Sequence, residues 1–66
     1  MKNITLNGQA QNSSADTVLA LLEEYSLTQG RFAVEIDGQL VPKSRLGATA
    51  LVDGMSIEVV QAVGGG

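Results

Sequence analysis

The sequence predicts an α+β domain in which a mixed sheet curls around one main helix. Three observations carry that prediction. Apolar residues alternate with polar ones in several short stretches, a single stretch repeats its apolar residues at three and four positions, and Asn-Gly or Asp-Gly pairs punctuate the alternating segments. A chain of 66 residues is near the lower limit for independent folding, so residues 1–66 are expected to make one domain.

From Lys2 to Asn7, Ile4 and Leu6 fall on one face and Asn3, Thr5 and Asn7 on the other, the pattern of a half-buried strand. Asn7-Gly8 suits the positive backbone angles of a tight hairpin turn, so Gln9 to about Asn12 should return antiparallel as a polar edge strand. Ser13, Ser14, Asp16 and Thr17 then crowd together, each able to cap a helix that should begin near Asp16. Val18, Leu21, Leu22 and Tyr25 lie on its apolar stripe, Glu23 and Glu24 point to water, and Gly30 is the expected stop. Phe32, Val34 and Ile36 alternate with Ala33, Glu35 and Asp37 in a strand that ends at the Asp37-Gly38 turn. A short partner, Leu40 and Val41, is closed by Pro42, which cannot donate to a ladder. Lys43 to Val52 lacks a clean period and reads as a loop with a turn of helix. After the Asp53-Gly54 turn, the last strand runs from Met55 or Ser56 to about Gln61, with Ile57 and Val59 inward and Ser56, Glu58 and Val60 outward. This order suits the β-grasp arrangement, because the helix and later strands supply the long crossover that lets the first and last strands pair in parallel. Residues 62–66 should form a flexible tail.

Composition narrows the function. The chain has no Cys, His or Trp, so it lacks a disulfide framework, a thiolate metal site and the usual imidazole base or zinc ligand. A self-contained hydrolase or metalloenzyme is not expected on those grounds, and the chain is read as no enzyme. Hydrophobic residues make up 44% and aromatic ones 3%, so the core is aliphatic and offers no platform for stacking bases. Four basic against seven acidic residues give a net charge of −3, the wrong sign for nucleic acid and the right one for a partner with a basic surface. The longest apolar run, Val18 to Leu22, is too short for a membrane span or a secretory signal. A cytoplasmic protein with no membrane partner is expected.

Gly64-Gly65-Gly66 has no structural excuse. A phosphate-cradling glycine loop must lead into a helix, and none follows Gly66 in this sequence. A tail without side chains can instead thread a narrow channel and present a carboxylate inside another protein. Glu35 and Asp37 share a strand face, but with no third ligand beside them they read as a solvated face rather than a metal site, and Glu23 and Glu24 diverge on their helix. Ser13 and Ser14 read as caps rather than nucleophiles. Lys43 and Arg45 are too few for a nucleic-acid patch; they could pair with an acidic partner surface, though a solvated loop is the default for such residues. Val60 is placed outside the core, near Ala33 and just before the tail, where a small apolar patch would serve as a docking surface.

With that order and that ending, the sequence resembles the ThiS family, the ubiquitin-like sulfur carriers of thiamin biosynthesis, over almost its whole length. The marks are Asn7-Gly8, Thr17-Val18 with Leu21-Leu22, Val41-Pro42-Lys43, Leu51-Val52-Asp53-Gly54 leading into Ile57-Glu58-Val59-Val60, and the glycine tail. Met55 departs from the acidic residue often found after Asp-Gly in the family. The resemblance implies that the chain binds no cofactor itself. An E1-like adenylating enzyme of ThiF type would use ATP and magnesium to activate the Gly66 carboxylate. Sulfur from a donor such as a cysteine desulfurase would then give a thiocarboxylate, which thiazole synthase (ThiG type) would consume. Gly66 and Gly65 would carry the chemistry, with Gly64 and Val63 completing the tail. The small subunit of molybdopterin synthase shares the fold and ending but is usually longer and lacks the Val-Pro-basic stretch. A lysine-conjugating ubiquitin-like modifier and a simple binding domain are the other readings.

Overall fold

Two hairpins form the halves of the sheet, and each is closed by the turn its sequence demands. In this computed structural model, which describes residues 1–62, β1 (Lys2–Leu6) and β2 (Gln9–Ser13) flank Asn7-Gly8, with φ of 50° and 81°. β3 (Phe32–Ile36) and β4 (Gln39–Val41) flank Asp37-Gly38, with φ of 50° and 85°. Positive φ at both central residues is the type I′ turn, whose twist matches that of the strands it joins.

β5 (Ser56–Gln61) unites the halves, in the sheet order β2-β1-β5-β3-β4. It runs parallel to β1 in the register Thr5↔Ser56 and Leu6↔Ile57, and antiparallel to β3 from Phe32↔Gln61 to Ile36↔Ile57. The expected parallel pairing of first and last strands is therefore present, and β2 is an edge.

The turn residues also reach across the sheet. Asn7 Oδ1 accepts from the Val59 N–H at 2.8 Å, and Asp37 Oδ1 accepts from the Ser56 N–H at 2.9 Å. At the third turn, where Gly54 has φ 89°, Asp53 Oδ1 accepts from the Asn3 N–H at 2.6 Å. Each turn thus fixes its own bend and pins a second strand whose amide would otherwise lack a protein partner.

The main helix, α1 (Val18–Glu24), starts two residues after the expected Asp16, because Thr17 is its cap: Thr17 Oγ1 accepts from the Ala20 N–H at 3.1 Å. The crossover finishes that job. The Val18 N–H donates to Thr49 O and the Leu51 N–H to Asp16 O, both at 2.9 Å. Ser13 is not a helix cap. Its buried hydroxyl accepts from the Ala15 N–H and donates to Glu24 Oε1, fastening the end of β2 to the end of α1.

The expected stop at Gly30 is corrected. α1 ends at Glu24, with Ser26 at φ 56°, the Ser26 N–H donating to Glu23 O and the Leu27 N–H to Leu22 O. That is the Schellman arrangement, with a serine in the position glycine usually holds. Tyr25 accordingly leaves the apolar stripe; it is exposed and its hydroxyl donates to Gln11 Oε1.

Val18, Leu21 and Leu22 of α1 are fully buried against Ile4, Leu6, Val34, Ile36 and Ile57 of the sheet. α2 (Lys43–Leu46), the turn of helix expected after Pro42, closes the core with fully buried Leu46, and Leu51 completes it. The concave face of the sheet is filled by this core, so its other face is left to solvent.

Candidate functional site

The candidate site is the place where β5 leaves the sheet. Because β5 lies between β1 and β3, its end is held from the side: Phe32 pairs with Gln61, and the Ala62 N–H donates to Arg31 O at 3.0 Å. Ala62, grouped with the tail from the sequence, is thus still tied to the strand neighbouring β5. Val63, Gly64, Gly65 and Gly66 lie outside the described residues.

Val60 and Ala33 are direct cross-strand partners on the outer face. Val60 is 60% exposed, as its alternation predicts, because Ile57 and Val59 take the inward positions. Beside them is an open groove of about 260 Å³ lined by Arg31, Phe32, Ala33, Val60 and Ala62. The groove is mostly apolar and lies at the root of the tail, with Arg31 among the residues that wall it.

The sequence reading missed one exposed apolar residue farther along this face and one cation near the tail. Leu40 is 69% exposed on the same face, opposite Glu35; with Val41 turned inward, the parity of the strand sends Leu40 out. Lys43, read as half of a solvated loop pair, places its Nζ 4.3 Å from the centroid of the Phe32 ring, a cation–π contact that brings a second cation to the tail end. No local pattern signals it, since eleven positions separate the two residues.

Farther from the tail the outer face is acidic. Glu35 and Glu58 stand directly opposite one another on β3 and β5, whereas Asp37, expected on the strand face of Glu35, lies in the turn beyond β3 with its carboxylate on the Ser56 N–H. Like charges at such a pair repel, a cost water lowers on an exposed face. Among the described residues no group of three His, Cys, Asp or Glu side chains is placed to hold a metal ion. Glu23 and Ser14 are exposed and stand away from this region. No described helix is long and apolar enough to cross a membrane.

A five-stranded mixed sheet wrapped on one main helix, with its central strand leading into a glycine tail, defines a ubiquitin-like β-grasp domain. The chain belongs to the ThiS family, the sulfur carriers of thiamin biosynthesis, whose profile matches residues 3–66. It is similar in structure to the thiamine biosynthesis protein (ThiS) from Geobacter metallireducens. The crystal structure of that protein gives a TM-score of 0.79 at 29% identity, covering 97% of this chain and 99% of that one. An NMR solution structure of a thiamine biosynthesis protein from the same organism gives 0.75 at 28% identity, covering 97% and 87%. The chain is also 41% identical over 64 residues to the thiazole synthase of Paramagnetospirillum magneticum (strain ATCC 700264 / AMB-1). That match covers 96% of this chain and 20% of the relative, so the chain spans about a fifth of that relative's length.

Proposed function

We propose that this protein is a sulfur-carrying cosubstrate, not an enzyme, and that its Gly66 carboxylate is the reacting group. The observation that carries the reading is the exit of the chain: the central strand of a β-grasp sheet, anchored through Ala62 to Arg31, leads straight into Val63-Gly64-Gly65-Gly66. A carboxylate resists attack by sulfur until its oxygen becomes part of a better leaving group. In the proposed sequence a Gly66 oxygen attacks the α-phosphorus of ATP on an E1-like adenylating enzyme of ThiF type, which supplies the magnesium, and pyrophosphate leaves. The outer sulfur of a persulfide on a donor such as a cysteine desulfurase then bonds to the Gly66 carbonyl carbon as the C–O bond to AMP breaks, and a thiol that attacks the donor's own sulfur releases the thiocarboxylate and leaves a disulfide on the donor side.

The thiocarboxylate delivers its sulfur to thiazole formation on a synthase of ThiG type. The relative named thiazole synthase supports that partner, because a segment similar to this chain makes up a fifth of it. Gly65 and Gly64 keep the end narrow enough to enter both active sites. The chain itself contributes reach and a recognisable surface, with Val60 and Ala33 as its docking patch.

Deleting Gly66 tests the proposal. Sulfur transfer to thiazole should be lost while the urea midpoint stays unchanged, since the last residues of a domain contribute little to its stability. In parallel, the intact protein from cells grown without thiamin should contain a population in which one oxygen mapped to Gly66 is exchanged for sulfur. Thiazole formation by the shortened chain would refute the assignment.

A further inference from the structure

We propose that Arg31 and Lys43 form a cationic clamp at the root of the tail that receives carboxylates on the surface of the activating enzyme. The inference rests on the sulfur-carrier reading and adds the chemistry of the partner's contact. The chain has four basic residues and a net charge of −3. Lys2 is spent at the far end of the sheet, donating to Ala15 O at 2.7 Å and lying 3.8 Å from Asp16, the one ion pair among the described residues. Arg31 and Lys43 stand at the tail end instead. Arg31 lines the groove beside Ala62, and Lys43 is held over Phe32, another lining residue.

The rest of the outer face has the opposite sign, with Glu35 and Glu58 paired on it and Asp37 in the turn at its end. A partner surface bearing carboxylates would be repelled there and attracted at the tail root, so the charge pattern allows one docking polarity, the one that leads the tail inward. Beside Arg31 the groove is walled by Ala33, Val60 and Ala62, and Phe32, which packs toward the core and carries Lys43 on its ring, completes its lining. The complementary surface is therefore an apolar side chain flanked by Asp or Glu, desolvated as Val60 is covered. Lys43 is suited to this part because the ring beneath it restricts its four-carbon stem before the partner arrives, reducing the entropy lost on binding.

The test measures ATP–pyrophosphate exchange by the adenylating enzyme from the same genome as carrier concentration is varied. Wild type is compared with Arg31→Glu, with Lys43→Glu, and with a charge-matched control, Gln9→Glu/Ala10→Glu, on the edge strand β2. Each reversal should raise KM for the carrier by about tenfold, leave kcat within about twofold, and flatten the dependence of kcat/KM on ionic strength. The control should follow wild type. If the reversals match the control while wild type is turned over, the clamp is refuted and the carrier reading stands. A lower KM in the reversals would mean the cations hold the chain's own terminal carboxylate, which also refutes it. Self-association abolished by the reversals, with KM unchanged, would assign the surface to a second copy and overturn the proposal. If wild type supports no exchange, the carrier reading falls and the clamp with it.

Discussion

Ser26 shows how much a single backbone angle decides. Its φ of 56° is left-handed, and that angle lets the Ser26 N–H reach Glu23 O and the Leu27 N–H reach Leu22 O. A residue with a Cβ pays roughly 1–2 kcal/mol for this conformation, whereas glycine adopts it freely and loses more entropy on folding. Ser26→Gly should therefore stabilise the domain by about 0.5–1 kcal/mol, read as a higher urea midpoint with an unchanged m-value. A lower midpoint would show that the serine is not strained. The same residue explains why the helix stop was misread. Serine carries no preference for left-handed backbone, and Gly30, which does adopt φ 71°, sits four residues later in the loop. Asn7 was legible only in part. That Asn7-Gly8 turns the chain follows from two neighbouring residues; that Asn7 Oδ1 captures the Val59 N–H depends on a parallel pairing 52 residues away.

Among the elements, strands were the most legible, because period two sorts Phe32, Val34 and Ile36 from Ala33, Glu35 and Asp37 without tertiary information, and the structure preserves that sorting. The crossover was the least. Lys43 to Val52 has no repeating pattern because it is held by point contacts: Leu46 and Leu51 in the core, and Thr49 O and the Leu51 N–H bonded to the start of α1. Of the four residues of α2, Leu46 is the one the core buries. Leu46→Ala removes that contact and should cost about 2–5 kcal/mol, enough to leave much of so small a domain unfolded at ordinary temperature. Thermal unfolding followed by circular dichroism would record it. A loss below about 1 kcal/mol would mean that the crossover packs independently of its anchor.

For the molecule as a whole, one face is committed to stability and the other is available for recognition. Core residues fill the helix side of the sheet, while Val60, Ala33 and Leu40 gather on the side left open. Val60→Asp changes the second without the first. Capture by the activating enzyme should weaken about tenfold or more in a direct binding titration, with thermal stability close to wild type, because an exposed strand position tolerates substitution at small cost. Unchanged affinity would remove Val60 from the contact. The open face was visible in the sequence through the parity of Val60, and Lys43 as one of a basic pair; its place over Phe32 was not, since the contact is made through space, nor was Arg31, which follows a glycine in a loop without period.

The central position of β5 also has a mechanical meaning. A domain held by its last residues in another protein's channel is pulled along the axis of that strand. With β1 on one side and β3 on the other, the pull meets two ladders of hydrogen bonds lying across the direction of force, so they resist together in shear. The same tail drawn from an edge strand would peel its bonds off singly. β5 is thus placed where a tether takes the greatest load before the fold gives way.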